Sequence, residues 1–260
     1  MLGESNNLFK GAMLAEDELD SKALTSLIGF TPSCLQPWLA CDQTARTVMN
    51  RDRAETIHNY DPGESIASEL DEKKLTGRHP LDKVQYVWSK TMLEGQILTW
   101  GGDRVDMANS MEARPAFLDH HLAESATHIP PLHRIKGRKE KYVLKEAMKG
   151  LLPKTLYERE KFAFMAPPAT TNKDKWQAMM TLADEFLTED KVVEAGLLDW
   201  AGIQDTLQEL SNEKTSRPRR VQIDAMINHM IGVQILQKLF IDQDIPQKAS
   251  EMAKEVGWSL

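Results

Sequence analysis

A chain of 260 residues is long enough for one large domain or two small ones with a sizeable buried core. Its formal charge of -7 excludes a protein that works by laying a concentrated basic face on nucleic acid, while 41% hydrophobic and 27% charged residues are ordinary for a globular chain. Cys34 and Cys41, with no Cys or His at ligand spacing nearby, make neither a zinc site nor a disulfide framework.

Taken in chain order, residues 61–79 are charged and broken by Pro62, Gly63 and Gly77, which predicts a mobile loop. Residues 81–100 carry Val84, Val87, Trp88, Met92, Ile97 and Leu98 at three- and four-residue spacings, which predicts a helix that Gly101-Gly102 ends. A second helix is predicted over 139–152, stopped by Pro153, and others over 175–187, 200–210, 221–241 and 245–256. More than half of 221–241 is apolar, more than one stripe needs, so this helix is expected at the centre of a core. Asp224, Asn228, His229 and Lys238 interrupt it, which argues against a membrane span. Arg217, Arg219 and Arg220 just before it read as a solvated helix start. No alternating strand pattern is evident, and no charged-then-apolar leader opens the sequence, so the expectation is an all-α, cytoplasmic protein.

The most specific text runs from Asp103-Arg104 through Met107-Ala108-Asn109-Ser110-Met111-Glu112-Ala113-Arg114-Pro115-Ala116-Phe117-Leu118-Asp119. Lys141, Leu144 and Lys145 follow, then Leu152-Pro153, Arg159, Lys161 and Pro167. This order resembles the synthetase domain of the asparagine synthetase family, which reads D-R-x-x-M-A-x-S-x-E-x-R-x-P-F-L-D, then a lysine helix, L-P, R-x-K and P. The resemblance implies an irregular helical lobe with little or no sheet, matching the C-terminal helices of that domain. It also implies a single domain over 1–260, with the motifs within 3–168 and extra packing helices over 169–260.

Family members adenylate a carboxylate with Mg·ATP, release pyrophosphate and let an amine attack the activated acyl group. By resemblance Lys141 is the lysine that stabilises charge around the acyl-adenylate, as a fixed ammonium can in a water-poor site. Glu112 and Arg114, two apart beside Pro115, read first as an ion pair holding the motif. With Lys141, Glu112 and Arg159 are also the candidates for polarising a carbonyl. Trp100, Met107, Met111, Arg114, Phe117, Lys161, Phe162, Phe164 and Met165 are the candidates for lining a substrate pocket, although methionines and aromatics are more often core. His120-His121 reads as helix surface rather than a metal pair, and Asp119 as the cap of the helix after it.

Two family features are not matched. No S-G-G-x-D-S loop occurs to cradle the pyrophosphate of ATP on backbone N–H groups. Residues 3–9 look like an eroded copy of S-G-E-G-x-D-E-x-F, in which Glu4 remains but Asn6 and Asn7 stand where the Mg²⁺-binding acids belong. Neutral amides do not bind a hard divalent cation as carboxylates do. The expectation is therefore a lobe without its own ATP, Mg²⁺ or other metal site. It would be repurposed as an ATP-independent natural-product enzyme that cyclises or rearranges an apolar small molecule. The alternatives are a subunit of an amide-forming ligase whose ATP loop comes from another chain, and a non-catalytic regulatory paralogue. A homodimer or other complex through an uncovered face is expected in each case.

Overall fold

The computed structural model describes residues 19–137, 139–158, 168–212 and 214–257. Among the described residues the fold is all-α apart from one two-stranded hairpin. In chain order the helices are α1 (Lys22–Ile28), α2 (Gln36–Val48), α3 (Arg51–Thr56), α4 (Pro62–Ser68), α5 (Glu72–Leu75) and α6 (Pro80–Trp88). A π-helical segment (Ser89–Asp103) leads into α7 (Arg104–Ala108), followed by α8 (His120–Thr127) and α9 (Pro131–Arg134). The hairpin pairs β1 (Ile135–Lys136) with β2 (Lys139–Glu140) antiparallel, in the register Ile135 to Glu140 and Lys136 to Lys139. Then come α10 (Tyr142–Ala147), α11 (Lys154–Glu158), α12 (Lys173–Phe186), α13 (Glu189–Ala195), α14 (Trp200–Ser211), α15 (Arg217–Phe240) and α16 (Ile245–Glu255).

The described chain forms two compact units. One contains Leu19, Gln36–Tyr60 and the chain from 168 onward. Its core is α15, which buries Ile223, Met226, Ile227, Met230 and Ile231 against Met179, Ala183, Val192, Ile203 and Val48. The central placement expected for 221–241 is thus observed, and the helix also takes in Arg217 to Arg220. Arg219 earns its place there, donating from Nε to Glu209 at 2.9 Å and from Nη1 to Thr44 at 3.2 Å. That ion pair holds the Glu209 carboxyl below its usual range. Helices α2 and α14 touch backbone to backbone, because Gly202 has no Cβ: one built there would lie 2.3 Å from the Thr47 carbonyl oxygen.

The other unit holds 20–35 and, among described residues, 61–158. Leu24, Ile28, Leu35, Leu70, Leu75 and Val87 make its core. The loop expected over 61–79 is instead two short helices. Asp61 caps α4 by accepting the Gly63 N–H at 2.7 Å, and Asp71 caps α5 by accepting the Lys73 N–H at 3.0 Å. Pro62 sits in the first turn of α4, where its missing N–H costs nothing. Pro62 and Gly63, read as loop punctuation, are therefore a helix start, while Gly77 (φ 70°) does form a turn, just past α5.

The helix expected over 81–100 also differs. Ordinary α-helix stops at Trp88, and the chain continues as a wider coil that passes through Gly101-Gly102 to Asp103. Thr99 Oγ1 donates to the Glu94 carbonyl five residues back at 2.6 Å, and the Arg104 N–H reaches the carbonyl of Thr99. Gly95, Gly101 and Gly102 favour the α-coil least among residues other than proline, so little opposes its widening.

Candidate functional site

The described part of the motif that carries the family resemblance, residues 103–153, lies in the second unit, on α7, the turn after it, α8, the hairpin, α10 and the turn that ends at Pro153. Helix α7 is closed by Asn109, whose Nδ2 donates to the Val105 carbonyl at 2.8 Å. Ser110 then takes a left-handed backbone, φ 54°, which brings the Met111 N–H back to the Asp106 carbonyl at 2.9 Å. Beyond the turn, Arg114 Nη2 donates to Glu112 Oε1 at 2.9 Å, so the expected pair forms. Its side chains are 82% and 68% exposed, which leaves it a positioning contact rather than a source of much stability. Asp119 caps α8 as expected, accepting the Leu122 N–H at 3.1 Å. His120 and His121 lie on the surface of that helix with ring centroids 3.8 Å apart.

The helix predicted over 139–152 begins later and is preceded by the hairpin. Lys139 and Glu140 belong to β2, and Lys141 is the residue before α10. Lys141 is held in the left-handed region, φ 51°, and its carbonyl accepts the Lys145 N–H at 2.9 Å. A non-glycine residue there costs roughly 1–2 kcal/mol. Around it, Lys136 Nζ sits 4.8 Å from the centre of the Tyr142 ring, and Lys149 donates to Glu146 at 2.6 Å. The Lys149 ammonium, through that hydrogen bond, holds the Glu146 carboxyl below its usual range. The hairpin stands where the sequence predicts helix, and Gly137 between charged residues is the turn signal that marks it.

Of the candidates, Glu112 and Arg114 are joined directly. Trp100, Met107, Met111 and Phe117 do not close over a pocket: they are 63%, 62%, 60% and 69% exposed. Lys141 is exposed as well. Arg159, Lys161, Phe162, Phe164, Met165 and the 3–9 segment lie outside the described residues. Throughout 88–158 no described residue is buried at all. The motif's apolar side chains and Lys141 are thus individually exposed rather than packed into a core. Among the described residues, no three His, Cys, Asp or Glu side chains converge as metal ligands.

The family model described as asparagine synthase matches residues 10–231. The chain belongs to the asparagine synthase family. Among curated proteins it is similar to amidase chyE of Penicillium rubens, 32% identical over 138 residues, which is 50% of this chain and 20% of that protein. It is also similar to amidase chry2 of Gibberella zeae, 31% identical over 144 residues, 52% of this chain and 21% of that one. A third relative, asparagine synthetase [glutamine-hydrolyzing] 1 of Bacillus subtilis, is 37% identical over 87 residues, 34% of this chain and 14% of that one. The matched stretches thus span about a fifth of the length of the fungal relatives. No solved structure matches the chain. Among the described residues, no helix is long and apolar enough to cross a membrane.

Proposed function

We propose that this asparagine-synthase-family chain supplies the helical, acyl-side wall of an ATP-dependent amide-forming site. The nucleotide-binding wall comes from outside the 260 residues, by further sequence or by another chain. One observation carries the reading: residues 88–158 hold the family motif and bury none of its described side chains. Ordering a stretch of that length costs on the order of 1–2 kcal/mol per residue, which exposed side chains do not repay. A second surface closing over Trp100, Met107, Met111 and Phe117 would supply the missing burial.

Closure would also change what Lys141 can do. Two unit charges 4 Å apart interact by about 1 kcal/mol in bulk water and about 4 kcal/mol at a protein surface with an effective dielectric near 20. An ammonium on an open face stabilises a developing anion weakly; the same group under a lid is useful to acyl transfer. Glu112 and Arg114, already paired, would hold the turn on which the acyl group rests. The names of the relatives, two amidases and asparagine synthetases, fit a reaction at an amide bond.

Calorimetric titration with Mg·ATP tests the reading. The isolated chain is expected to give no binding heat, and the chain assembled with a part carrying an S-G-G-x-D-S loop is expected to bind in the micromolar range. Absence of ATP binding in that assembly would overturn the proposal. A second reading, an ATP-independent enzyme on the same lobe, is favoured by Asn6 and Asn7 standing where metal-binding acids belong. Turnover of an apolar substrate by the isolated chain without nucleotide would select it.

A further inference from the structure

In the unit built on α15, a cleft of about 200 Å³ lies where the end of α12, α13 and the last turns of α15 meet. Phe186, Lys191, Glu194, Gln234, Lys238 and Asp242 line it. None of these belongs to the family motif, and the cleft plays no part in the function proposed above.

It sets two lysines and a buried amide beside two carboxylates. Lys191 Nζ and Lys238 Nζ stand 5.6 and 5.2 Å from the centre of the same Phe186 ring. Among the described residues neither forms an ion pair, although Lys191 also donates to the Glu185 carbonyl. Gln234 is 5% exposed, yet its buried Nε2 donates to nothing. Buried amides are nearly always hydrogen-bonded, so this orphan points to an acceptor that the protein does not provide. Asp242 is engaged, accepting from Gln237 Nε2 at 2.9 Å.

We propose that the cleft binds a small organic monocarboxylate, whose oxygens accept from Lys191, Lys238 and Gln234 while its short tail lies against Phe186. Both ammoniums approach the same ring, and an anion that reaches both offsets two positive charges at once. A carboxylate suits the site better than a phosphate dianion, because Glu194 and Asp242 repel a second negative charge and the phosphate has no apolar tail for Phe186.

The test is a titration of the whole chain with sodium butyrate, followed by the side-chain amide resonance of Gln234, beside a titration with inorganic phosphate at equal ionic strength. Butyrate is expected to shift that resonance saturably at millimolar concentrations, and phosphate to leave it in place. Lys238→Gln is expected to weaken butyrate roughly tenfold or more. Gln234→Met should abolish saturable binding, now read on the Lys191 and Phe186 signals, while melting no lower than the parent because an unmet donor has been removed. No saturable shift up to about 50 mM butyrate, an equal response to phosphate, or unchanged affinity in Lys238→Gln would each overturn the proposal.

Discussion

Phe117→Ala separates a site-facing aromatic from a core one. Phe117 is 69% exposed, so roughly a third of the ~200 Å² that a phenylalanine can bury is covered. At ~25 cal/mol per Å², truncation removes at most about 1.7 kcal/mol, and less once the partly collapsed unfolded chain is allowed for. A core phenylalanine truncated to alanine costs about 3–5 kcal/mol. Ile203, fully buried against α15, provides the internal reference: Ile203→Ala is expected to cost about 2–5 kcal/mol. Urea unfolding of the isolated chain measures both. In the assembled protein the order should invert, with Phe117→Ala weakening association tenfold or more, as for a buried aromatic anchor. A loss of 3 kcal/mol or more for Phe117→Ala in the isolated chain would refute the reasoning, because the ring would then be core.

Gly202→Ala places a methyl 2.3 Å from the Thr47 carbonyl oxygen, on backbone that cannot swing aside. It should cost about 1–3 kcal/mol by overpacking and more if the Asp199 cap of α14 is disturbed, which a thermal melt would show as a drop of several degrees. Lys141→Gly and Lys141→Ala both remove the ammonium, but only glycine relieves the left-handed backbone; the glycine variant should unfold at higher urea by up to about 1 kcal/mol, while neither supports acyl transfer. Asp224 is buried in α15, and burial pushes its carboxyl above the usual range against the pull of the Ala169 and Thr170 N–H groups. Its contribution to stability is therefore fullest below the ordinary carboxylate range and is lost as pH rises through the raised folded value. The stability difference between the parent and Asp224→Asn should accordingly move against the parent as pH is raised from about 4 to 7, which urea titrations at stepped pH would measure.

The sequence pattern foretold the long helices of the first unit because their residues obey one rule: an apolar face that must be buried. Residues 221–241 announce a core helix, and Ile223, Ile227 and Met230 are fully buried. The second unit was less legible. Asp61 and Asp71 look the same as loop residues and as helix caps, and only the hydrogen bonds to Gly63 and Lys73 tell the two apart. The widened coil over Ser89–Asp103 has no distinct periodic signature, so its apolar residues mimic an ordinary helix. The hairpin strands are too short to show alternation, and the left-handed turn at Lys141 follows from that hairpin rather than from any local preference of lysine.

The site divides in the same way. The Glu112–Arg114 pair and the Asp119 cap are local contacts, two and three residues apart, and were readable from spacing. Whether Trp100, Met107, Met111 and Phe117 close into a pocket depends on what lies over them, which spacing along one chain does not encode. Methionine and aromatic side chains look identical in sequence whether they fill a core or wait for a partner. Gln234 carries no motif, and its significance comes only from being buried without an acceptor.

The central claim, that this helical wall does amide chemistry once a nucleotide-binding wall covers it, is tested most directly by carboxylate-dependent exchange of labelled pyrophosphate into ATP. The assembly of the chain with a part carrying the nucleotide loop is expected to catalyse exchange, the isolated chain to catalyse none, and Lys141→Ala to slow the assembly by about 100-fold or more. Exchange by the isolated chain, or an assembly that binds ATP but exchanges equally well without Lys141, would contradict the account.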